Sequence, residues 1–498
     1  MSDAAQATMD QITALCRRRG FIFQSSEIYG GLAGFFDYGP LGSEMKKNIR
    51  DAWWNDMVRR KDNMVGVDCS IITNSLVWKA SGHVEGFSDP MVDCKESKMR
   101  YRADQLYFSK ISVDGEFIGY VSVLEDNNMQ SVAEKFANDL KKRLGKDGKL
   151  DKITLNNYIK ARPDEYELIP SPATGKPGSL TPPRAFNLMF TTHIGALTDD
   201  SSMAYLRPET AQSIFINFKN VLDTSRLKVP FGIAQIGKAF RNEITPRNFT
   251  FRSREFEQME LEFFIQEDIW EAWHSYWVDE RLTWHKNIGL DPSLLSLEVH
   301  SKEKLAHYSR ACTDIIFKYP FGWSELEGIA ARGNFDLTKH HNASGKSLEF
   351  FDESKNCSYI PHVIEPSVGV DRLFLALLCS AYAEDEIDGE RRVILRLHPR
   401  IAPIKIAILP LVKNRSEIVI MARKLYDRFS KICNAFYDES GAIGRRYRRM
   451  DEIGTPYCLT VDFESLETQT FTLRDRDSTT QVRLTEEQVV ARLMENIF

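Results

Sequence analysis

Arginine and glutamate residues recur with a period of two in one segment of the chain, a spacing that could bind a charged nucleotide. Arg241 and Glu243 are two residues apart, so on a β-strand both side chains lie on the same face. Further along, Gln258, Glu260 and Glu262 alternate with apolar residues, which predicts a strand with one buried face and one carboxylate-lined face. Two such strands side by side would place an arginine among several acids.

The loop between these two predicted strands carries three arginines, Arg247, Arg252 and Arg254. A guanidinium group binds phosphate oxygens through paired hydrogen bonds, while carboxylates hold an amine. The segment therefore indicates a cleft for a triphosphate and an ammonium group. A solvated hairpin whose charges compensate each other is the alternative explanation.

A second segment, residues 363–372, predicts a strand that runs into a helix. Glu365 ends the strand, and Gly369 and Arg372 fall in the first turns of the helix, where apolar residues follow the 3.6-residue period. A helix N-terminus beside an arginine is an anion-binding site. An ordinary capped helix is the alternative.

Two shorter segments also carry candidate side chains. Glu209 stands between a proline-containing turn and an apolar helix, where an ordinary helix-terminal charge would also fit. Residues 81–94 are rich in glycine and polar residues, so their backbone could lie close to a small ligand, and Arg102 follows them. His83 in that stretch is more often a hydrogen-bonded structural histidine than a catalyst.

Composition limits the class of protein. The 498 residues predict about three domains of ~150 residues. The net charge of -5 excludes attachment to nucleic acid by overall charge, although a local basic face is compatible with it. The eight cysteines include no CxxC pair, which argues against a disulfide framework and a zinc knuckle. Because we find neither a signal peptide nor an apolar run of ~20 residues, we expect a soluble protein of the cell interior with no membrane partner.

The elements that must position the candidate residues follow from periodicity. An apolar residue at every fourth position after Pro40 predicts an amphipathic helix over residues 39–60, and residues 64–78 are β-rich. Five prolines between residues 170 and 183 mark a loop that closes an inserted subdomain. A second strand-rich block covers residues 186–264.

The acidic stretch Ala383–Glu390 is interpreted as a linker, and the chain changes character after it. A short apolar run at residues 404–409 predicts a buried parallel strand, and the helix and strand patterns that follow indicate a separate small α/β domain. In a glycine-flanked loop of that domain, four arginines surround Tyr447, which suits the phosphates and bases of a single-stranded RNA loop. A solvated basic loop is the alternative.

Taken together, these segments resemble class II aminoacyl-tRNA synthetases. Residues 241–243 and the loop after them resemble motif 2, residues 369–372 resemble motif 3, and the helix over 39–60 resembles motif 1, the dimer element. The words ASGHV, DPMVDC, YRAD, LRPETAQ, FRNE, GWSELEGIA and VIEPSVG are similar, in this order, to those of the dimeric glycyl-tRNA synthetases. The resemblance covers about residues 10–498 and is weakest around 110–180.

The resemblance implies an α/β fold with an α+β catalytic domain. An antiparallel sheet flanked by helices is expected there, followed by a C-terminal mixed α/β anticodon-binding domain. The expected boundaries are 1–109 for the N-terminal part of the catalytic domain with motif 1, 110–183 for an inserted subdomain, 184–390 for the catalytic domain with motifs 2 and 3, and 391–498 for the anticodon-binding domain.

The activity implied by the resemblance is glycine–tRNA ligation. Such an enzyme activates glycine with ATP to glycyl-adenylate and pyrophosphate, and then transfers glycine to the 3' end of tRNA(Gly). The implied substrates and partners are ATP with Mg²⁺, glycine, tRNA(Gly) and a second copy of the chain, in the cytoplasm. Because the glycine carboxylate attacks the α-phosphorus directly, the reaction needs positioning and charge stabilisation and no nucleophilic side chain.

The resemblance also assigns site residues. It implies catalytic roles for Arg241, Glu243 and Arg372. It implies ATP contacts at Arg241, Asn242, Glu243, Phe251, Arg252, Ser253, Arg254, Glu255, Phe256, Glu325, Leu326, Gly369, Val370, Asp371 and Arg372. It implies glycine contacts at Arg102, Glu209, Phe256, Glu257, Gln258, Met259, Glu260, Glu365, Pro366, Ser367, Val368 and Gly369. It implies tRNA contacts at Arg445, Arg446, Tyr447, Arg448 and Arg449.

Within that set the resemblance implies separate tasks for the nucleotide. Arg241 would hold the α-phosphate and Glu243 would accept a hydrogen bond from the adenine amino group. Arg252 and Arg372 would hold the outer phosphates, and Phe256 would stack on adenine. Glycine would be held by its ammonium and carboxylate groups, while amino acids with a β-carbon would be excluded by packing.

Two departures from the family pattern and two alternatives accompany this interpretation. Ser75 stands where the family often has proline, which affects the expected dimer contact, and Ser97 stands where some relatives have a second cysteine, so no structural metal is expected. A nucleic-acid-binding accessory subunit of a mitochondrial DNA polymerase is one alternative, but such a protein would be expected to lose the ATP-binding arginines. A class IIa synthetase for serine, threonine, proline or histidine is the other, and the words EPS and RPETAQ favour glycine.

Overall fold

A computed structural model describes residues 7–126, 128–196, 202–303, 305, 309–387 and 389–497. They form two compact units. The first consists of the described parts of Met1–Ser81, Ala204–Phe240 and Pro246–Phe498, and the second of the described parts of Gly82–Met203 together with Arg241–Thr245. No helix within the described ranges has both the length and the apolar character that crossing a membrane requires.

The helices of the described chain have the following bounds: α1 (Met9–Arg19), α2 (Pro40–Trp54), α3 (Ser75–Ala80), α4 (His83–Gly86), α5 (Met129–Arg143), α6 (Ala211–Ser225), α7 (Trp270–Asn287), α8 (Phe335–Ser344), α9 (Val370–Ala381), α10 (Ser416–Phe429), α11 (Ile443–Glu452), α12 (Phe463–Thr468) and α13 (Glu486–Ile497).

The strands have these bounds: β1 (Ile22–Gln24), β2 (Phe36–Tyr38), β3 (Met64–Gly66), β4 (Ile72–Thr73), β5 (Ser88–Asp93), β6 (Arg100–Arg102), β7 (Leu106–Val113), β8 (Glu116–Leu124), β9 (Asn156–Asn157), β10 (Arg184–Asn187), β11 (Phe190–His193), β12 (Met203–Leu206), β13 (Phe231–Phe240), β14 (Glu255–Ile265), β15 (Leu295–Val299), β16 (Ala311–Tyr319), β17 (Gly322–Gly333), β18 (Phe350–Asp352), β19 (Cys357–Tyr359), β20 (His362–Gly369), β21 (Tyr382–Ile387), β22 (Glu390–Leu395), β23 (Ile406–Pro410), β24 (Ala435–Tyr437), β25 (Tyr457–Val461), β26 (Phe471–Asp475) and β27 (Gln481–Leu484).

The first unit is built on a seven-stranded sheet with the order β15-β16-β17-β20-β14-β13-β3. Every neighbouring pair of strands is antiparallel except β13 and β3. The alternation predicted for β14 is present, because Met259, Leu261 and Phe263 are buried in the main hydrophobic core. The predicted α/β organisation, an antiparallel sheet flanked by helices, is confirmed.

Helices α2 and α9 pack on the core side of this sheet. Pro40 occupies the first turn of α2, and Met45, Ile49 and Trp53 are buried at the predicted four-residue spacing. The helix predicted over 39–60 is confirmed, although its last turn, Asn55–Arg59, widens into a π-helix. Helix α9 follows β20 directly, so the predicted order of strand and helix is confirmed, but the strand continues to Gly369 and does not end at Glu365 as expected.

A buried ionic cluster fastens α7 to the centre of the sheet. Arg281 donates to Glu327 at 2.7 and 3.2 Å, and the ring of His285 lies 2.5 Å from the same carboxylate. All three side chains are at most 1% exposed. Burial alone would raise the pKa of Glu327, but the charge of Arg281 and the hydrogen bond with His285 lower it to about 2. Glu327 is therefore ionised, and its buried negative charge is balanced by Arg281.

Replacing Glu327 by glutamine should destabilise the protein by about 3–5 kcal/mol, because Arg281 would remain as an uncompensated buried charge. The pKa of Glu327 is lower in the folded state than its ordinary value of 4.5, so its contribution to stability is complete above pH 4.5 and is lost as the pH falls towards 2. Urea denaturation followed by tryptophan fluorescence checks both statements. The exposed Glu464→Gln variant is the control, and a destabilisation as small as that of the control would contradict the prediction.

The C-terminal part of the first unit has a sheet of its own. Its order is β24-β23-β25-β26-β27, and β23 is parallel to both of its neighbours. The apolar run predicted as a buried parallel strand is therefore confirmed as Ile406–Pro410. Helices α10 and α13 pack on this sheet through Ile418, Leu425 and Val489.

Two sequence interpretations in this region are wrong. The acidic stretch expected to be a linker forms the hairpin of β21 and β22, because its acids face arginines across the turn, as in the pair of Asp385 with Arg392 at 2.5 Å. The arginine-rich segment expected to be a loop is helix α11. Arg446 in that helix is 2% exposed and donates to the backbone oxygen of Leu411 at 3.1 Å, so it stabilises the domain from inside.

The second unit contains two small antiparallel sheets, with the orders β10-β5-β6 and β8-β7-β9. Helix α5 packs on the second of these sheets through Ala133 and Ala137, against Ile111 and Val121. The predicted inserted subdomain, residues 110–183, falls inside this unit.

Candidate active site

One row of side chains crosses the central sheet on the face opposite the core. The strand register aligns the row in the order Gln235, Glu260, Ser367, Gly328 and Asp314. Residues aligned in this way share a face and lie side by side. The two small residues in the middle leave space on the sheet between Glu260 and Asp314, so the row forms the floor of a polar cleft.

Glu260 is the best-held acid of this cleft. One of its carboxylate oxygens accepts hydrogen bonds from the backbone N–H of Thr210, at 2.9 Å, and from the Thr210 hydroxyl. The other accepts from the Ser367 hydroxyl at 2.8 Å and from the Gln258 amide at 3.0 Å. Four donors of this kind stabilise the ionised carboxylate and fix its orientation, although the side chain is only 3% exposed.

A network connects the two other acids that the sequence predicted for glycine. Arg332 donates to Glu365 at 2.7 Å and makes two hydrogen bonds with Asp336, at 2.8 and 3.0 Å. Gln212 bridges Asp336, at 2.9 Å, to Glu209, at 3.1 Å. Glu209 and Glu365 are thereby tied to one buried arginine.

The electrostatics of the cleft favour the capture of a cation. Burial raises the pKa of Glu365, the charge of Arg332 opposes that rise, and the nearby Glu260 and Glu209 add to it. A carboxyl group with a raised pKa in such surroundings gains a favourable partner when a positively charged group enters. The cleft is therefore a candidate ammonium site.

The candidate nucleotide side of the unit is built around Arg372 at the start of α9. Its guanidinium group lies 3.2 Å from Glu325 and 4.7 Å from the centre of the Phe251 ring, and its Nε donates to the Phe251 backbone oxygen at 3.2 Å. The Phe251 ring packs edge-on against Tyr319 and Phe321. Arg372 is therefore held at its base while its side chain remains partly exposed.

The remaining motif 2 residues of the first unit lie along the loop and the start of β14. Arg254 is anchored by hydrogen bonds with the backbone oxygens of Gly34 and Ala33. Ser253 is buried and donates to the backbone oxygen of Glu255. Arg252 and Phe256 are partly exposed, so their side chains are accessible to a ligand.

Asp371 and Glu257, both predicted to contact a substrate, have internal partners. One oxygen of Asp371 accepts from the Tyr38 hydroxyl and from Lys46 at 3.0 Å, and the other accepts from the backbone N–H of Glu257 at 2.7 Å. The Glu257 carboxylate lies 3.3 Å from Lys46 and 3.4 Å from Arg50. These two acids connect the start of α9 and strand β14 to the region of α2.

Other predicted contact residues have their side chains in the hydrophobic core: Met259, Leu326, Val368 and Val370. Pro366 is buried as well. The contacts predicted for these residues could therefore be made only through their backbone. Gly369 is the N-cap of α9 and is paired with Gln258 at the end of β20.

The second unit contains the other four predicted substrate residues: Arg102, Arg241, Asn242 and Glu243. Arg102 pairs with Asp89 at 2.7 Å and with Asp104 at 2.5 Å, and its hydrogen bond with Asp104 is the main cause that raises its pKa. The guanidinium group of Arg241 lies 5.4 Å from the centre of the Phe87 ring, and Glu243 is 7% exposed.

Sequence reasoning missed the residues that support the acids. Thr210 and Arg332 hold predicted glutamates that are 50 and 33 positions away, and Gln212 and Asp336 complete the network. His300, Cys312 and Asp314 form another polar group at the edge of the same sheet, with ligand atoms within 4.8 Å of one another. The alternation of Cys312 and Asp314 on a strand was the only local signal for that group.

Arg207 and Gln235 form a further layer beneath Thr210. The Gln235 amide donates to the Thr210 backbone oxygen at 2.9 Å, and Arg207 donates to Gln235 at 3.4 Å. A Cβ atom at Gly237 would lie 2.1 Å from the Arg207 guanidinium group, so the close approach requires glycine there. The layer fixes the Thr210 donors that orient Glu260.

Comparison with characterised proteins gives the context for this geometry. The family described as "Anticodon binding domain" matches residues 405–496. The glycine–tRNA ligase of Clostridium acetobutylicum is 49% identical over 99% of this chain and 99% of its own length. The chain belongs to the glycine–tRNA ligase family. Glycine–tRNA ligases of Ruminiclostridium cellulolyticum, 49% identical over 98% of both chains, and of Rhodopirellula baltica, 46% identical over 97% of this chain and 98% of its own, agree with this assignment.

Membership of the glycine–tRNA ligase family confirms the sequence interpretation at three levels. The enzyme class is a ligase, the C-terminal domain is an anticodon-binding domain, and the polymerase accessory subunit and the other class IIa synthetases are set aside. The individual site residues stay predictions.

Proposed function

We propose that the cleft around Glu260 binds glycine by its ammonium group and that the arginines of motifs 2 and 3 bind ATP, so that the chain forms glycyl-adenylate and then charges tRNA(Gly). The observation that carries this proposal is the fixed Glu260 carboxylate. Thr210, Ser367 and Gln258 hold it ionised at the floor of a cleft that Glu365 and Glu209 also border.

A small cation suits this arrangement better than a large side chain does. Glycine offers only its ammonium and carboxylate groups, so its affinity must come from charge. Glu260 and Glu365 supply negative charge, while the small residues Gly328 and Ser367 leave space for the ligand between Glu260 and Asp314. A buried charge pair of this kind contributes to affinity because the carboxylates are already oriented before the ligand arrives.

The chemistry requires stabilisation of negative charge as pyrophosphate leaves. Arg372 and Arg252 are the candidates for this task in the first unit, and a guanidinium group can pair with two phosphate oxygens at once. The roles proposed for Arg241 on the α-phosphate and for Asn242 and Glu243 on the adenosine remain predictions. No side chain has to act as a nucleophile, since the glycine carboxylate supplies the attacking oxygen.

We also propose that Mg²⁺ accompanies ATP at the Glu325 carboxylate. Burial and the charge of Glu325 raise the pKa of Asp314, and the two acids lie on the neighbouring strands β17 and β16. Mg²⁺ prefers carboxylate oxygens of this kind and would neutralise phosphate charge there. Glu325 is half exposed, as a residue that meets a hydrated ion should be.

Glycine-dependent exchange of labelled pyrophosphate into ATP tests the proposed function directly. The assay is run with each of the common amino acids in turn, and only glycine should support exchange. Exchange with serine or alanine at a similar rate would contradict the proposed glycine site, and no exchange at all would contradict the activation step.

The oligomeric state and the cellular location of the protein also stay proposals. We propose that the chain is a homodimer that associates through the motif 1 region around α2, which sedimentation equilibrium tests. We propose a cytoplasmic location, which cell fractionation tests.

Arg445 is the arginine of α11 best placed to meet tRNA, because it is exposed whereas Arg446 is internal. Replacing Arg445 by alanine should raise the KM for tRNA about tenfold, as expected for the loss of one phosphate contact, and leave pyrophosphate exchange unaffected. The exposed Arg162→Ala variant is the control. Equal loss of charging and exchange would point to a folding defect and contradict the assignment.

A further inference from the structure

Glu262 is a buried acid that the proposed chemistry does not use. It lies on β14, two residues beyond Glu260 and on the same face of the sheet, and its side chain is 0% exposed. Neither of its carboxylate oxygens has a hydrogen-bond donor among the residues that the structure describes. An ionised carboxylate in such a place would be strongly destabilising, whereas a protonated one needs only an acceptor.

Three charged groups have the largest effect on Glu262. They are Glu365 on the neighbouring strand β20, Arg332 on β17 and Glu260 on its own strand. The strand register, with Phe263 opposite Ile364, brings the Glu262 and Glu365 side chains next to each other. Arg332 gives its hydrogen bonds to Asp336 and Glu365.

We propose that Glu262 is a positioning residue that keeps its proton and donates a hydrogen bond to the Glu365 carboxylate, so that Glu365 meets the glycine ammonium as one fixed anion. Glu365 then accepts from Arg332 on one side and from Glu262 on the other. This inference rests on the proposed glycine site, because Glu365 has to be one of its ammonium ligands.

The balance of protons in the pair supports this role. Burial, followed by the charge of Glu365, raises the pKa of Glu262 well above its ordinary value, and a hydrogen bond from Glu262 lowers the pKa of Glu365. Two adjacent buried carboxyl groups cannot both ionise without strong repulsion, so one holds the proton. Arg332 donates to Glu365 whereas the Glu262 oxygens have no donor within the described part of the chain, so Glu365 is the partner that gives up its proton first.

A neutral Glu262 has a consequence for glycine recognition. The donated hydrogen bond restrains the Glu365 carboxylate in a cleft that already contains Glu260 and Glu209, so Glu365 does not turn away from them when the site is empty. If Glu262 were instead ionised, it would be a further ammonium ligand. The two possibilities differ in what an amide at this position would do.

Two substitutions that keep the size of the side chain distinguish a protonated Glu262 from an ionised one. Glu262→Met removes the donor while filling the volume, and it should raise the KM for glycine about tenfold to a hundredfold, the effect of losing a hydrogen bond to a charged group. Glu262→Gln supplies an N–H donor in place of the acid, and it should restore most of that loss. The KM for ATP, measured in the same exchange assay, should not follow this pattern.

Infrared spectroscopy detects the proton on the Glu262 carboxyl group independently of enzyme activity. At a pH above about 8, the value to which burial raises the pKa of Glu365, the wild-type protein should show the C=O stretching band of a protonated carboxyl group, and Glu262→Gln should lack it. A spectrum unchanged by the substitution would overturn the proposal. So would a Glu262→Gln variant with a glycine KM as high as that of Glu262→Met, or two variants with the wild-type KM.

Failure of the proposed function would have a different signature. If glycine does not support pyrophosphate exchange in the wild-type protein, the proposed function is wrong, whatever the infrared band shows. If exchange is normal but Glu365→Gln leaves the KM for glycine unchanged, Glu365 is not an ammonium ligand and the inference fails while the enzyme assignment stands.

Discussion

An Arg372→Ala variant should lose about three orders of magnitude in the rate of glycine-dependent pyrophosphate exchange, the effect typical of an arginine that stabilises charge during phosphoryl transfer. The surroundings of Arg372 hold its side chain in place. The Phe251 ring and backbone oxygen hold the base of the guanidinium group, and Glu325 lies 3.2 Å from one of its nitrogens. The loss should fall on kcat, because the charge to be stabilised grows as pyrophosphate leaves.

The control for Arg372 is Arg17, an arginine that is 72% exposed and ion-paired with Glu27 on the surface. Arg17→Ala should exchange pyrophosphate at the wild-type rate. Melting temperatures of both variants establish that they are folded. An Arg372→Ala variant with a loss smaller than tenfold would exclude Arg372 as a phosphate ligand.

A Glu260→Gln variant should bind glycine about a hundredfold more weakly, equivalent to about 3 kcal/mol, because a buried ammonium group would lose an ionised partner. The amide also cannot accept all four hydrogen bonds that Thr210, Ser367 and Gln258 now donate to the carboxylate. The KM for glycine in the exchange assay measures this, and the KM for ATP should change little.

Glu353, which is 79% exposed, provides the matched control for Glu260. Glu353→Gln should have the wild-type KM for glycine. If Glu260→Gln changed the KM values for ATP and glycine equally, the residue would be supporting the cleft as a whole, and the assignment of the ammonium group to Glu260 would have to be abandoned.

The elements that the sequence predicted well are those whose local pattern also determines their burial. Helix α2 begins at Pro40 and buries every fourth residue, and Met259, Leu261 and Phe263 of β14 lie in the main core as predicted. Helix α9 follows β20 in the predicted order, although the strand extends four residues beyond Glu365 before the helix begins. In each of them the period alone determines which face is covered.

The prediction of a loop around Tyr447 was wrong, because it gave the flanking glycines more weight than the helical spacing of the apolar residues. Ile443, Tyr447 and Met450 are spaced as on one face of a helix and pack in the same small apolar cluster. Gly444 lies within α11, where the internal hydrogen bonds of Arg446 with the backbone offset its low helix propensity. The four arginines favoured an exposed segment, although one of them, Arg446, is internal.

Most of the supporting contacts of the cleft could not be predicted, because they join residues that are remote in sequence. Gln212 and Asp336 are 124 positions apart, and Thr210 and Glu260 are 50 apart. No periodicity relates such pairs, and one sequence shows no covariation between them. Glu260 and Glu365 were identified as candidates through family resemblance, whereas the donors that hold them are known only from the fold.

The single carboxylate of Asp371 has a practical consequence for inhibition. It joins Tyr38 and Lys46 to the backbone of β14 at Glu257, three residues from Glu260. A compound wedged between α2 and α9 would break this junction and displace the strand without occupying the cleft. Such an inhibitor would be non-competitive towards both ATP and glycine, so high concentrations of either substrate would not overcome it.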